Sequence, residues 1–185
     1  MVKLVVWDWN GTILADTQAC MDAGNHLIEA FGGTPLPRKE YQEMFFFPAI
    51  EFYKMHGCDE EELLANNSAG IFHEAYNKLA SGCRTRRGVR EALHWLEEKS
   101  IDSVILSNHI RDDINLHLER LSLSEYFTDV LANGEKRATE SGNNKILRLE
   151  QYISEKSHDP ADSVIIGDST EDIDIGKGLG MKTIA

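Results

Sequence analysis

The stretch Lys3-Leu4-Val5-Val6-Trp7-Asp8-Trp9-Asn10-Gly11-Thr12 decides the fold, because an unbroken apolar, β-branched run ends abruptly in a carboxylate, an amide and a glycine. A short apolar run without alternation reads as a strand covered on both faces, as in the centre of a parallel sheet. Similar runs follow at Ser103-Val104-Ile105-Leu106-Ser107, Val130-Leu131-Ala132, Ser163-Val164-Ile165-Ile166-Gly167 and Met181-Lys182-Thr183-Ile184-Ala185. Helical periods separate most of them: Val89 to Lys99, with Val89, Leu93 and Leu96 on one face; Asp113 to Leu121; and Lys145 to Lys156, with Ile146, Leu149 and Ile153 recurring. Strand and helix in alternation predict an α/β domain built on a parallel sheet with crossover helices.

The segment from Asp16 to Arg87 breaks that alternation. It carries helical patterns at Ala19 to Phe31 and Glu60 to Leu79, prolines at 35, 37 and 48, and no convincing strand. It therefore reads as a helical insertion after the first strand, and the return through Gly82-Cys83-Arg84-Thr85-Arg86-Arg87-Gly88 has the glycines and charges of a hinge. The expected domains are a core from 1–15 and 88–185 and an inserted helical domain at 16–87. The 185 residues suffice for both.

A hydrophobic share of 42% with 27% charged residues excludes a disordered or fibrous chain. The net charge of -12 disfavours a nucleic-acid partner, although a few local cations or one metal still allow a small anionic ligand in a single site. Cys20, Cys58 and Cys83 are odd in number and in no zinc or redox spacing, which suits buried thiols in a reducing compartment. The apolar start meets Asp8 too early for a signal peptide, and no later run is long enough to span a membrane. The expectation is a soluble cytoplasmic protein with no membrane partner.

In parallel α/β sheets ligands bind beyond the carboxyl ends of the strands, so chemistry-bearing residues belong there. The first run ends in Asp8-Trp9-Asn10-Gly11-Thr12, the second in Ser107-Asn108, and the fourth in Gly167-Asp168-Ser169-Thr170-Glu171-Asp172. Lys145 opens a helix after Gly142-Asn143-Asn144, with Lys136 as a competing cation. Each piece has an ordinary structural reading. Asn10-Gly11 suits a turn, Ser169 to Asp172 satisfies a helix capping box, and Ser107-Asn108 simply ends a strand. The ordered combination asks for more.

Together these residues resemble the haloacid dehalogenase superfamily, whose motifs are Asp-x-Asp-x-Thr, a Ser or Thr after a strand, a Lys, and Gly-Asp-x-x-x-Asp. The match spans nearly the whole chain, and Asp16-Thr17 and Gly88-Val89 fit its helically capped, phosphoglycolate phosphatase-like members. The resemblance implies a doubly wound parallel sheet of order 5-4-1-2-3 with a helical cap domain as lid. Many members continue beyond the point where this chain stops, which implies a missing terminal element or a shortened chain. It further implies that Asp8 is a nucleophile forming an aspartyl-phosphate that water later cleaves. Converging carboxylates about 5 Å apart repel by roughly 3 kcal/mol per pair at an effective dielectric near 20, so a divalent cation is required. Mg²⁺ would take Asp8, the backbone carbonyl of Asn10, Asp168 and Asp172, the last often through water. Lys145 would screen Asp8 and the phosphoryl group, and Thr12, Ser107 and Asn108 would complete the substrate-binding set. The implied partner is a small phosphorylated metabolite, and the implied assembly a monomer or homodimer.

One residue departs from the pattern. Asn10 stands where the family's phosphatases carry the aspartate that protonates the leaving alkoxide and then deprotonates water. An amide does neither. The expected consequence is a slowed or leaving-group-selective phosphatase. Two other readings stay open: a catalytically weak phospho-ligand or partner-binding protein, and a relative of phosphonoacetaldehyde hydrolases using a cap lysine, Lys54 being nearest in character among Lys39, Lys54 and Lys78. The run Phe45-Phe46-Phe47-Pro48 reads as core of the insert, and Arg84, Arg86 and Arg87 as solvated charge.

Overall fold

The computed structural model describes residues 1–46, 48–134 and 145–185. Lys136 and Gly142-Asn143-Asn144 lie outside the described residues, as does Phe47. Strand β1 (Leu4–Trp7) is followed by helices α1 (Thr17–Ala30), α2 (Arg38–Met44), α3 (Ala49–Met55), α4 (Glu60–Ala65) and α5 (Ser68–Ala80). The alternation then resumes with α6 (Val89–Glu98), β2 (Asp102–Ile110), α7 (Arg111–Leu121), β3 (Asp129–Asn133), α8 (Lys145–Lys156), β4 (Ser163–Ile166), α9 (Thr170–Leu179) and β5 (Lys182–Ile184).

The five strands form one parallel sheet in the order β3-β2-β1-β4-β5, which is the expected order. Every residue of β1 is buried, as its unbroken apolar run requires at the sheet's centre. Leu4 and Val6 share a core with Val104, Leu106 and Ile165 and with Leu149, Ile153 and Ile175 from α8 and α9. Alternate strand residues point to opposite faces, so Val5, Trp7 and Ile105 turn away from that cluster. Helices α6 and α7 pack against β2. Register sets the site: Trp7 lies opposite Ile105 and Ile166, so β1 and β4 end level with each other while β2 runs on past them to Ile110.

Two compact units divide the described residues: 1–15, 84–134 and 145–185 in one, and 16–83 in the other. Residues 84–86 belong to the first because they pair with 13–15: Ala15 N donates to Arg84 O (2.8 Å) and Arg86 N to Ile13 O (2.9 Å). Within the helical unit, Tyr41, Phe52, Leu27, Ile28 and Leu63 form a core on which Phe45 packs, while Phe46 is 39% exposed. A second contact fixes α5 to the start of α1, where the Tyr76 hydroxyl donates to the fully buried Asp16 carboxylate at 2.5 Å.

The helical reading of Glu60 to Leu79 needs correction. Helix α4 ends at Ala65 and α5 begins at Ser68, because Asn67 adopts φ 54° in the left-handed region that asparagine tolerates best among side chains with a Cβ. Asn66 strengthens the break by donating back to Glu62 O at 2.9 Å. The cysteines are free thiols, though only Cys58 is buried and Cys20 and Cys83 are half-buried. Among the described residues no helix is long and apolar enough to cross a membrane.

Candidate active site

Asp8 leaves β1 with its backbone N donating to Ile166 O (2.8 Å), so the sheet itself fixes where the carboxylate starts. The chain then turns sharply through Gly11, whose φ is +77°. A Cβ built on Gly11 would lie 2.0 Å from Asp168 Oδ2, and one on Gly167 would lie 2.3 Å from Asp172 Cγ. Both glycines are therefore required by the close approach of acids from the β4 end. Carboxylate oxygens of Asp8, Asp168 and Asp172 lie within 4.8 Å of one another, Asp8 and Asp172 buried and Asp168 exposed.

Lys145, the first residue of α8, is 2% exposed and reaches across this cluster. Its Nζ donates to Asp8 Oδ1 at 2.9 Å and to Asp172 Oδ1 at 2.6 Å. A lysine at that depth persists only because carboxylates hold it, and they raise its pKa despite the opposing effect of burial. Burial pushes the Asp8 carboxyl up to about 7, with Lys145 opposing and Asp172 and Asp168 adding to the rise. Asp172 serves two purposes. Oδ1 faces Lys145, while Oδ2 accepts from Ser169 Oγ (2.6 Å) and Ser169 N (3.3 Å), closing the capping box that starts α9.

Ser107 and Asn108 sit where β2 departs from regular pairing. Leu106 pairs with Leu131 and Ile110 with Asn133, so four residue steps on β2 span two on β3. This irregularity lengthens β2 beyond the Ser103 to Ser107 run and re-aims the residues after Leu106, as bulges beside functional sites do. The buried Ser107 Oγ accepts from His109 N (3.1 Å), which leaves its own proton to donate. Thr12 Oγ1 is buried with no hydrogen-bond partner among the described residues. Asn10 is partly buried and bridges to Leu14 across the turn.

Four residues at the site were not singled out in the sequence or were read otherwise. Glu171 accepts from Asn108 Nδ2 (3.0 Å) and lies 3.9 Å from Lys145 Nζ, burial raising its carboxyl. Arg148 donates from Nη1 to Asn133 Oδ1 (2.7 Å) and from Nη2 to Ser107 O (2.9 Å), and Asn133 Nδ2 donates to Asn108 O (2.6 Å). Arg86, read as solvated, is exposed overall, yet its Nε donates to Gly11 O and braces the turn. Arg84 and Arg87 are exposed as expected. The one available signal was the i, i+3 spacing of Lys145 and Arg148 on a single helix face.

Lys54 is placed against the Schiff-base reading. Its amine pairs with Glu60 (2.8 Å) and Glu51 (3.2 Å), and the Glu60 hydrogen bond, then that of Glu51, raises its pKa. A nucleophilic lysine needs the opposite, a neutral amine made accessible by a lowered pKa.

Known proteins resemble this chain in sequence and in fold. The pyrophosphatase PpaX of Bacillus velezensis is 20% identical over 98% of this chain and 82% of that protein. A phosphoglycolate phosphatase of Synechococcus elongatus is likewise 20% identical, over 100% of this chain and 83% of its own length. The fold matches the haloacid dehalogenase-like hydrolase SP0104 from Streptococcus pneumoniae with a TM-score of 0.80 at 16% identity, covering 100% of this chain and 84% of the other. The family model described as haloacid dehalogenase-like hydrolase matches residues 5–185, which takes in all of β1 but Leu4, the helical insert and every strand end discussed above; the chain belongs to that family.

Proposed function

We propose that this hydrolase is a Mg²⁺-dependent phosphatase of a small phosphorylated metabolite, working through an aspartyl-phosphate on Asp8, with the helical unit, 16–83, as its cap domain. The observation that carries the reading is Lys145 Nζ joining buried Asp8 and Asp172 while a third carboxylate, Asp168, closes the cluster.

The residues fit a divalent cation. Carboxylate oxygens of Asp8, Asp168 and Asp172 lie within 4.8 Å of one another, and a fourth carboxylate, Glu171, lies 3.9 Å from Lys145 Nζ beside them. Hard oxygen donors at this spacing suit Mg²⁺, with Asp8, Asp168, Asp172 and the Asn10 carbonyl as its holders. Bound there, the ion supplies positive charge that keeps Asp8 ionised despite its burial and neutralises phosphoryl oxygens. Asp8 then forms a bond to phosphorus as the phosphorus–oxygen bond of the leaving group breaks. Lys145 stabilises the charge on the equatorial oxygens, and Ser107 Oγ and Thr12 Oγ1 donate to them. Water displaces the Asp8 oxygen from phosphorus, releasing phosphate and regenerating the carboxylate. Asn10 neither protonates the leaving oxygen nor takes the water's proton, so the first step favours acidic leaving groups and the second is slowed for every substrate. Asn10 also favours the second reading, a phospho-ligand binder that turns over poorly.

The test is hydrolysis of a chromogenic aryl phosphate. Release is expected with Mg²⁺ and its loss on chelation; binding of phosphate without any release would favour the second reading, and neither would overturn both. A further expectation concerns the turn. Gly11→Ala places a methyl against Asp168 at a left-handed φ, at a cost of about 1–2 kcal/mol in the backbone alone. Urea denaturation should show that loss, and calorimetric titration should show weakened Mg²⁺ binding. Wild-type values in both would contradict the packing described.

A further inference from the structure

We propose that Arg148, acting with Asn133, is a positioning residue that sets the phosphoryl-binding conformation of Ser107 and Asn108; the proposal rests on the phosphatase reading of this site. The irregular pairing between Leu106 and Ile110 takes residues 107–109 out of the β2–β3 ladder. Buried carbonyls removed from a ladder need other donors. Two side chains supply them: Arg148 Nη2 to Ser107 O at 2.9 Å and Asn133 Nδ2 to Asn108 O at 2.6 Å. Arg148 Nη1 also donates to Asn133 Oδ1 (2.7 Å), so the two donors hold each other.

The same fork fixes the Asn108 side chain. Nδ2 donates to Glu171 Oε2 at 3.0 Å, and Oδ1 lies 3.4 Å from Arg148 Nη2. A carboxylate on one side demands the amide nitrogen and a guanidinium on the other demands its oxygen, so only one orientation satisfies both. Arg148 thus ties the strand end bearing Ser107 to the helix bearing Lys145. A lysine cannot replace it, because one ammonium does not span acceptors that two nitrogens of a planar fork reach separately. Neither Arg148 nor Asn133 needs to touch substrate for this role.

Outer partners of this kind are worth about 10- to 100-fold in affinity or activity when removed. Full-length Arg148→Ala should therefore bind inorganic phosphate, in the presence of Mg²⁺, about 10- to 100-fold more weakly by calorimetry, with kcat/KM on an aryl phosphate falling in step through KM. Added guanidinium ion should restore both, and Arg148→Lys should not. A purely structural strap would instead lower the melting temperature while leaving phosphate affinity and KM of the folded fraction unchanged, and that result overturns the proposal. If Arg148→Ala does not fold, Asn133→Ala carries the test: weakened phosphate binding supports the proposal and wild-type binding overturns it. Absence of hydrolysis by the wild type would refute the phosphatase reading alone, since phosphate binding still decides the role of Arg148. A wild type that binds no phosphate would overturn this inference too.

Discussion

Asp8→Asn is expected to reduce phosphate-ester hydrolysis by roughly 10⁴-fold or more, because loss of a nucleophile removes the covalent path itself and not one of its supports. The substitution keeps side-chain size and backbone position, and Lys145 retains Asp172 at 2.6 Å as its anionic partner. The fold should survive for a second reason. Asp8 is buried, and burial already pushes its carboxyl up to about 7, so a neutral amide is no harder to bury than the charge it replaces. Circular dichroism and thermal melting should match the wild type while turnover vanishes. Residual activity within tenfold of wild type would show that the chemistry lies elsewhere.

Asn10→Asp is expected to act in the opposite direction. General acid–base catalysis contributes about 10²- to 10⁴-fold, and the gain should appear on an alkyl phosphomonoester, whose alkoxide cannot leave unprotonated. An activated aryl phosphate needs no such help in the first step, so its kcat/KM, which reports formation of the aspartyl-phosphate, should gain far less. The turn that holds residue 10 is already built, by the bridge to Leu14 and the Arg86 bond to Gly11 O, so the new carboxyl inherits a fixed position. Parallel rate measurements on the two substrates decide the matter, and equal gains on both would contradict the role assigned to residue 10.

The strand ends were legible in the sequence because buried parallel strands carry unbroken apolar runs, and the polar residues that stop them mark the ligand side of the sheet. Helix α8 followed directly, Lys145 to Lys156 being found as read, whereas the strand order came from the family resemblance and not from the runs themselves. Asp172 illustrates how one residue sustains two readings at once. The capping box and the acidic site are both present, on different oxygens of one carboxylate.

What stayed hidden depends on contacts between distant segments. Arg148 resembles any polar residue on an amphipathic helix, and Asn133 before Gly134 resembles a turn, until the β2 irregularity brings Ser107 O and Asn108 O to them. Glu171 reads as an acid in a first helical turn, a position favoured by the helix dipole alone. The break at Asn67 was missed because the apolar pattern continues through it, and only the backbone reveals the left-handed residue.

The central claim is covalent capture of phosphate by Asp8, and Asn10 makes it unusually accessible to measurement. With no base to activate water, breakdown of the aspartyl-phosphate should lag behind its formation from an aryl or acyl phosphate. Rapid acid quench of wild-type protein with radiolabelled phosphoryl donor and Mg²⁺ should leave an alkali-labile label on the peptide containing Asp8, absent from Asp8→Asn and shorter-lived in Asn10→Asp. Turnover of the same donor with no label on that peptide, or with label on another residue, would contradict the account.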